Sequence, residues 1–226
     1  MTDPAQLFAA IRMGDEASVD TLLAADPELS AARDPDGLSA VMLARYFSWT
    51  RTSIVERVVA ARGEDRLDVF EAAATGRVAR LRTLLGEDPR LVAAWSVDGF
   101  TALHLAAFFG ADVAAEILLD AGADPEAESR NGQHVQPLHS AVAGGAFATA
   151  RRLIDAGVDV DAVQQDGFRP LHAAARNGDD PMVDLLLVAG ADPHATASDG
   201  RTAADLARER GHEALSRRLG TEPPIS

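Results

Sequence analysis

The chain contains no cysteine, which excludes disulfides, thiolate metal sites and a thiol nucleophile. It contains no lysine either; all 21 basic residues are arginine. Together with the abundance of alanine, this composition is associated with GC-rich bacterial genomes. Aromatic residues make up only 5% of the chain, while alanine occurs in runs at Ala72 to Ala74 and Ala173 to Ala175. That bias favours closely packed helices over sheets. Positive charge is scarce: 35 acidic residues leave a formal charge of −14, which repels phosphate backbones and anionic lipid, so neither nucleic acid nor a membrane surface is expected as a partner. No uncharged apolar run approaches the ~18 residues of a membrane span. The start, Met1-Thr2-Asp3-Pro4, lacks the basic residues and apolar stretch of a secretory signal, and a cytoplasmic location is expected.

What is present is enough apolar residue, 47% of 226 positions, to bury a core and exclude a mainly disordered chain. It is also repetitive. The segment DGFTALHLAAFFG from Asp98 returns from Asp166 as DGFRPLHAAARNG, and an intervening copy from Asn131 reads NGQHVQPLHSAVAGG. Each is followed by a second apolar segment with a glycine-containing close, such as AEILLDAGADP or VDLLLVAGADP. With the histidine of the Leu-His step as phase marker, the slot is filled by His104, His139 and His172, by Asp205 downstream, and by Phe8, Met42 and Phe70 upstream. The successive intervals are 34, 28, 34, 35, 33 and 33 residues. Seven units fit residues 1–219 as a single domain, with 220–226 as a flexible tail.

Each part of a unit has a physical reason. Asp-Gly or Asn-Gly makes a tight turn. Thr101, Thr202 and Ser39 are placed to cap a first helix, and Pro137 and Pro170 sit where proline suits the first helical position. Small residues such as Ala106, Ala107, Ala173 and Ala174 let that helix approach its neighbours, while Ile117, Leu118 and Leu119 give the second helix bulk. Gly122, Gly157 and Gly190 are positioned to end the second helix in the left-handed conformation. One unit alone cannot close a core, so stacking must, in one continuous slab.

On the steps TALHLAA, QPLHSAV and RPLHAAA, with their period of about 33 residues and the Ala-Gly-Ala-Asp-Pro type of close, the chain resembles the ankyrin-repeat family. The resemblance implies an all-α solenoid of antiparallel helix pairs with short β-hairpin fingers. Departures carry expectations of their own. Gln136 and Arg169 replace the capping threonine, so their helices lose part of the ~1 kcal/mol of a good cap. The 28-residue interval around Gly63 has no room for a finger and predicts a notch or bend. Two extra residues near His134 and Val135 predict a longer finger. Pro4 and the charged residues of the last unit, from Arg208 to Arg218, suit terminal caps.

No site for chemistry emerges. Equivalent histidines of successive units would stand ~10 Å apart, far beyond the ~2 Å ligand bonds of zinc; the resemblance instead implies that each braces a turn. Ser140 beside His139 points in a different direction from it. There is no H-E-x-x-H, P-loop or Rossmann glycine pattern, and Asp124-Pro125 and Asp192-Pro193 are turn residues without the spaced oxygen ligands of a calcium loop. No cofactor or metal is expected, and the isolated His194 and His212 are expected on the surface.

The resemblance implies that recognition uses the concave face of fingers and first helices, at positions that vary between repeats. Here these are Tyr46 and Phe47, with Trp49 just beyond; Val97, Asp98, Phe100, Phe108 and Phe109; Arg130, Asn131, Gln133, His134 and Val135; and Gln165, Asp166, Phe168, Arg176 and Asn177. Exposed aromatics in a groove anchor interfaces, although the same rings could pack as ordinary core. The reading is a non-catalytic, monomeric module that binds another protein bearing a basic or apolar patch. The alternatives are a self-assembling structural subunit, or a small-molecule binder or enzyme using the groove near His134.

Overall fold

The computed structural model describes residues 3–47 and 52–220; the expectations for Trp49 and for 221–226 lie outside them. Among the described residues, fourteen α-helices follow one another in pairs. They are α1 (Pro4–Met13) and α2 (Glu16–Ala25), α3 (Ala40–Phe47) and α4 (Thr52–Arg62), α5 (Val69–Ala74) and α6 (Val78–Glu87), α7 (Ala102–Phe108) and α8 (Asp112–Asp120), α9 (Pro137–Ala143) and α10 (Phe147–Asp155), α11 (Pro170–Asn177) and α12 (Asp180–Val188), and α13 (Ala203–Glu209) and α14 (Glu213–Gly220). The architecture is an all-α repeat solenoid.

Local chemistry starts and stops these short helices. Thr101, Thr202 and Ser39 accept hydrogen bonds from the amides three residues on, His104, Asp205 and Met42. At Gln136 and Arg169 no side chain caps; a guanidinium has no acceptor to offer, and the Gln136 Oε1 is buried without a partner. After α8, α10 and α12 the chain turns at Gly122, Gly157 and Gly190 with φ of 90, 87 and 100°, a conformation that residues with a side chain rarely adopt.

A helix pair this short buries too little surface to stand alone, so stability comes from stacking. Leu7, Leu43, Leu103, Leu138 and Leu171 of the first helices, with Ile54, Leu81, Leu118, Leu153 and Leu186 of the second, form one continuous apolar slab and are essentially inaccessible to water. Each such side chain contributes about 1.5–3 kcal/mol. Alanine sets the spacing. Ala106 and Ala107 of α7 and Ala141 of α9 are fully buried, and a Cβ placed on Gly144, just past α9, would stand 2.0 Å from the Phe108 carbonyl oxygen.

The fingers between pairs are tight turns rather than strand ladders. Single antiparallel bridges, Arg33 with Ser39, Trp95 with Thr101 and Thr196 with Thr202, are the only β pairing among the described residues. Four fingers close by an amide-to-carbonyl bond four residues on, as from Ser96 to Phe100. The finger around His134 closes from Ser129 to Val135, six residues on, which is the expected lengthening. Neighbouring fingers are stitched by main-chain bonds from Arg130 to Gly99, Gln165 to Gln133 and Ser198 to Asp166, each 2.8 Å.

Between α4 and α5 there is no finger. Gly63 turns the chain with φ of 83°, a 3-10 turn runs over Glu64–Arg66, and Asp68 caps α5 directly. Here Glu71, three residues after the cap, takes the slot filled elsewhere by histidine and accepts the Asp68 amide at 2.9 Å. The phase marker Phe70 is therefore one residue early at this helix start, because the missing finger moved the cap. The expected notch exists, as a gap of about 230 Å³ lined by Leu38, Met42, Phe70 and Trp95, but it is roofed. Gly37 of one finger lies against Val97 of the next, 3.5 Å from a glycine Cβ position to Val97 Cγ1. Below, Arg45 donates to the carbonyls of Ala74 and Phe109, both at 2.8 Å, and its guanidinium lies 4.6 Å from the Phe109 ring centre. One arginine thus ties three successive first helices together.

Candidate partner-binding face

Three of the first helices, α7, α9 and α11, share a device in their N-terminal turns. The Nδ1 of His104, His139 and His172 accepts the main-chain N–H of the cap residue at 3.3, 3.3 and 3.0 Å. That leaves Nε2 to donate to a carbonyl near or in the following finger, Val135 at 2.8 Å, Ala162 at 3.0 Å and Ala195 at 3.1 Å. Both ring nitrogens are used up in holding fingers to helices. Burial lowers all three pKa values, that of His139 to about 4, and the hydrogen bonds to carbonyls offset this only in part. The rings are neutral at neutral pH.

Fingers and first helices held in this way enclose a mostly apolar cavity of about 220 Å³ on one face. Seven of the residues expected in recognition line it: Tyr46, Phe100, Phe108, Gln133, Val135, Phe168 and Arg176. Tyr46 comes from a distant repeat and arrives because the finger between is missing. Its hydroxyl donates to Asp98 at 2.6 Å, and burial, followed by that bond, raises its pKa.

The aromatic residues divide into two roles. Tyr46, Phe100 and Phe109 pack around Met42, Ala74 and Leu105 as a satellite core, with the Tyr46 and Phe109 ring centres 5.3 Å apart. Phe109 does not line the cavity. Phe108 does, with its ring edge-on to Phe109 at 5.0 Å. The two adjacent rings thus have different surroundings, Phe108 at the cavity and Phe109 against the satellite core, the two alternatives that the sequence left open.

The remaining expected residues do not converge on the cavity. Phe47 is 54% exposed on the α3 end, with the Arg12 guanidinium 5.6 Å from its ring centre. Val97 is exposed on the roof of the notch, and Asp98 accepts from Tyr46 and from the Ser96 hydroxyl. Arg130 lies 4.2 Å over the Trp95 ring, and Asn131 donates to the Asp98 carbonyl at 3.1 Å. His134, at the exposed tip of the long finger with φ of 53°, pairs with Glu128 at 3.2 Å. Gln165 and Asp166 join Gln133 and Arg176 in a shallower recess next door, and Asn177 is exposed at the end of α11. Of the isolated histidines, His194 is exposed, but His212 is half-buried against the Gly178 turn, its ring 2.4 Å from the position of a Cβ there. Leu105, Ser140, Ala143 and Gln164 also line the cavity and were missed. The signal for Ser140 and Ala143 was their position one helical turn apart on α9.

Two family models match: one for ankyrin repeats in three copies over residues 69–164, and one for ankyrin repeats in many copies over residues 153–207. The chain belongs to the ankyrin-repeat family. A search of curated proteins returns no match to it. Ankyrin repeats are generally protein–protein interaction modules, and the family is typically non-catalytic. Helix pairs also lie outside the matched span, α1–α4 before it and α14, completing the last pair, after it. Among the described residues no helix is long and apolar enough to cross a membrane, and no group of three or more His, Asp or Glu side chains is placed to hold a metal.

Proposed function

We propose that residues 1–219 form one monomeric, cytoplasmic docking module that binds another protein through the face of fingers and first helices, without catalysis and without nucleic acid or membrane as partner. The observation that carries this reading is the cavity of about 220 Å³ walled by Phe100, Phe108 and Phe168. Aromatic-walled recesses that exclude water are where interface energy concentrates. Of the two kinds of patch open from sequence, basic or apolar, the apolar one fits this lining. The two histidines in the wall have both nitrogens engaged, which argues against their acting as acid or base.

The test uses Phe108→Ala alone, since removing Phe109 as well would strip a ring from the satellite core. Proteins captured from native lysate are purified and titrated against the wild type, Phe108→Ala and Val113→Ala, the last on the start of α8 away from the cavity. Affinity is expected to fall by about tenfold or more with Phe108→Ala and to stay unchanged with Val113→Ala. Equal affinity for the wild type and Phe108→Ala would remove this face from consideration.

A further inference from the structure

The local charge of the cavity is opposite to that of the chain. Among its lining residues there is one guanidinium, Arg176, and no carboxylate, on a protein of formal charge −14. The side chain of Arg176 lies with Cζ 5.8 Å from the Phe168 ring centre and forms no ion pair with any described residue. Elsewhere arginines such as Arg12, Arg57, Arg169 and Arg201 are paired with carboxylates. Asp166 shares the adjoining recess with Arg176 without pairing to it. The charge of the distant acidic surface is screened over a Debye length of about 8–10 Å, so at contact the nearest unpaired charge decides.

Two carboxamides complete the rim. The side chains of Gln133 and Gln164 line the mouth and, among the described residues, make no side-chain hydrogen bond. Each offers a donor and an acceptor, the pair that a main-chain peptide group needs. The cavity, at about 220 Å³, is smaller than the roughly 300–1,000 Å³ of sites that enclose a small molecule. It has room for one large side chain rather than a whole metabolite.

We propose that the cavity takes an extended segment of a partner protein in which one aromatic or branched aliphatic residue fills the pocket and an Asp or Glu two residues away pairs with Arg176. In an extended chain residues two apart share a face, so anchor and carboxylate point into the site together, and the intervening peptide groups meet Gln133 and Gln164. This rests on the face assigned above and names the chemistry it recognises.

The test is selection from a random-peptide phage library on the intact wild-type chain, on Arg176→Glu and on Ala143→Trp. Ala143 is exposed at the end of α9 and lines the mouth, so a tryptophan there fills the pocket from outside the core. Thermal unfolding checks that each variant is folded; Arg176→Glu, at an exposed position, keeps the test alive if Ala143→Trp is not. The wild type is expected to enrich an apolar residue with an acid two positions away. Arg176→Glu is expected to keep the apolar residue and exchange the acid for Lys or Arg. Synthetic peptides of the wild-type consensus should lose about tenfold or more in affinity for either variant. No enrichment, a consensus without an apolar residue, an acid that persists with Arg176→Glu, or binding indifferent to a folded Ala143→Trp would each overturn the proposal. If a captured partner depends on Phe108 while its binding ignores Arg176→Glu, the face stands and the acidic recognition falls.

Discussion

Gly144→Ala examines the spacing on which both the stack and the cavity depend. Gly144 follows α9 with φ of −84° and ψ of −6°, a conformation any residue adopts, so backbone strain is not at issue and alanine would by propensity gain up to about 1 kcal/mol. Contact decides instead. The new Cβ would stand 2.0 Å from the Phe108 oxygen, 2.7 Å from its carbonyl carbon and 3.1 Å from its Cα. All three are main-chain atoms, so no side chain can swing aside; α9 must move off α7 by about an ångström to reach ordinary contact. Overpacking of this kind costs about 1–3 kcal/mol, and the separation also loosens the buried contacts of Ala107 and Ala141. A net loss of about 2 kcal/mol is expected, concentrated at one inter-repeat interface, so the array should also unfold less cooperatively. Guanidinium denaturation followed by circular dichroism reads both effects. Gly145→Ala is the control: its φ is 67° and nothing lies within 4 Å of its Cβ position, so only the left-handed penalty of about 1 kcal/mol applies. A Gly144→Ala protein as stable as the wild type, or less damaged than Gly145→Ala, would refute the close-approach argument.

Acid should destabilise the protein well before its carboxylates titrate. His139 is held at about 4 when folded against an ordinary histidine value of 6.5; below 6.5 the unfolded chain binds the extra proton, so stability is full above that pH and is lost as pH falls from 6.5 towards 4. At pH 5 the loss from His139 is about 2 kcal/mol, and His104 and His172 act in the same direction. Thermal melts at pH 7.5 and pH 5 should show it, and His139→Gln should flatten the slope; parallel slopes for the variant and the wild type would refute this. Arg45→Met removes two charge-assisted hydrogen bonds across the notch and should cost about 2–3 kcal/mol in denaturant, whereas a neutral result would mean that the bridge carries no load. Tyr46→Phe leaves Asp98 with the Ser96 hydroxyl as its remaining side-chain donor, and an equilibrium loss of about 1 kcal/mol is expected; no measurable loss would mean that water replaces the phenol at no cost.

Much of the fold was legible because its rules are local. Turn glycines, the caps at Ser39, Thr101 and Thr202, and the alternation of small and bulky segments act within a few residues, so they read directly from the chain. Even the long finger could be anticipated from two extra residues. What could not be read was the consequence of the short interval around Gly63. Deleting a finger shifts the cap by one residue, gives Glu71 the bracing position, and lets Gly37 touch Val97 of the next finger. That closure carries Tyr46 to the cavity wall and sends Phe109 into a satellite core. Counting residues gives the deletion but not how its flanks close.

By itself, the sequence determined the repeat and the helix pairs, because hydrogen bonds between near neighbours and the period of apolar residues are properties of short segments. Which groove residues meet was decided only by the tertiary structure. Phe108 and Phe109 are adjacent in the chain and identical in chemistry, yet one lines the cavity and the other packs in the satellite core. That difference comes from the surfaces the neighbouring repeats present to each ring.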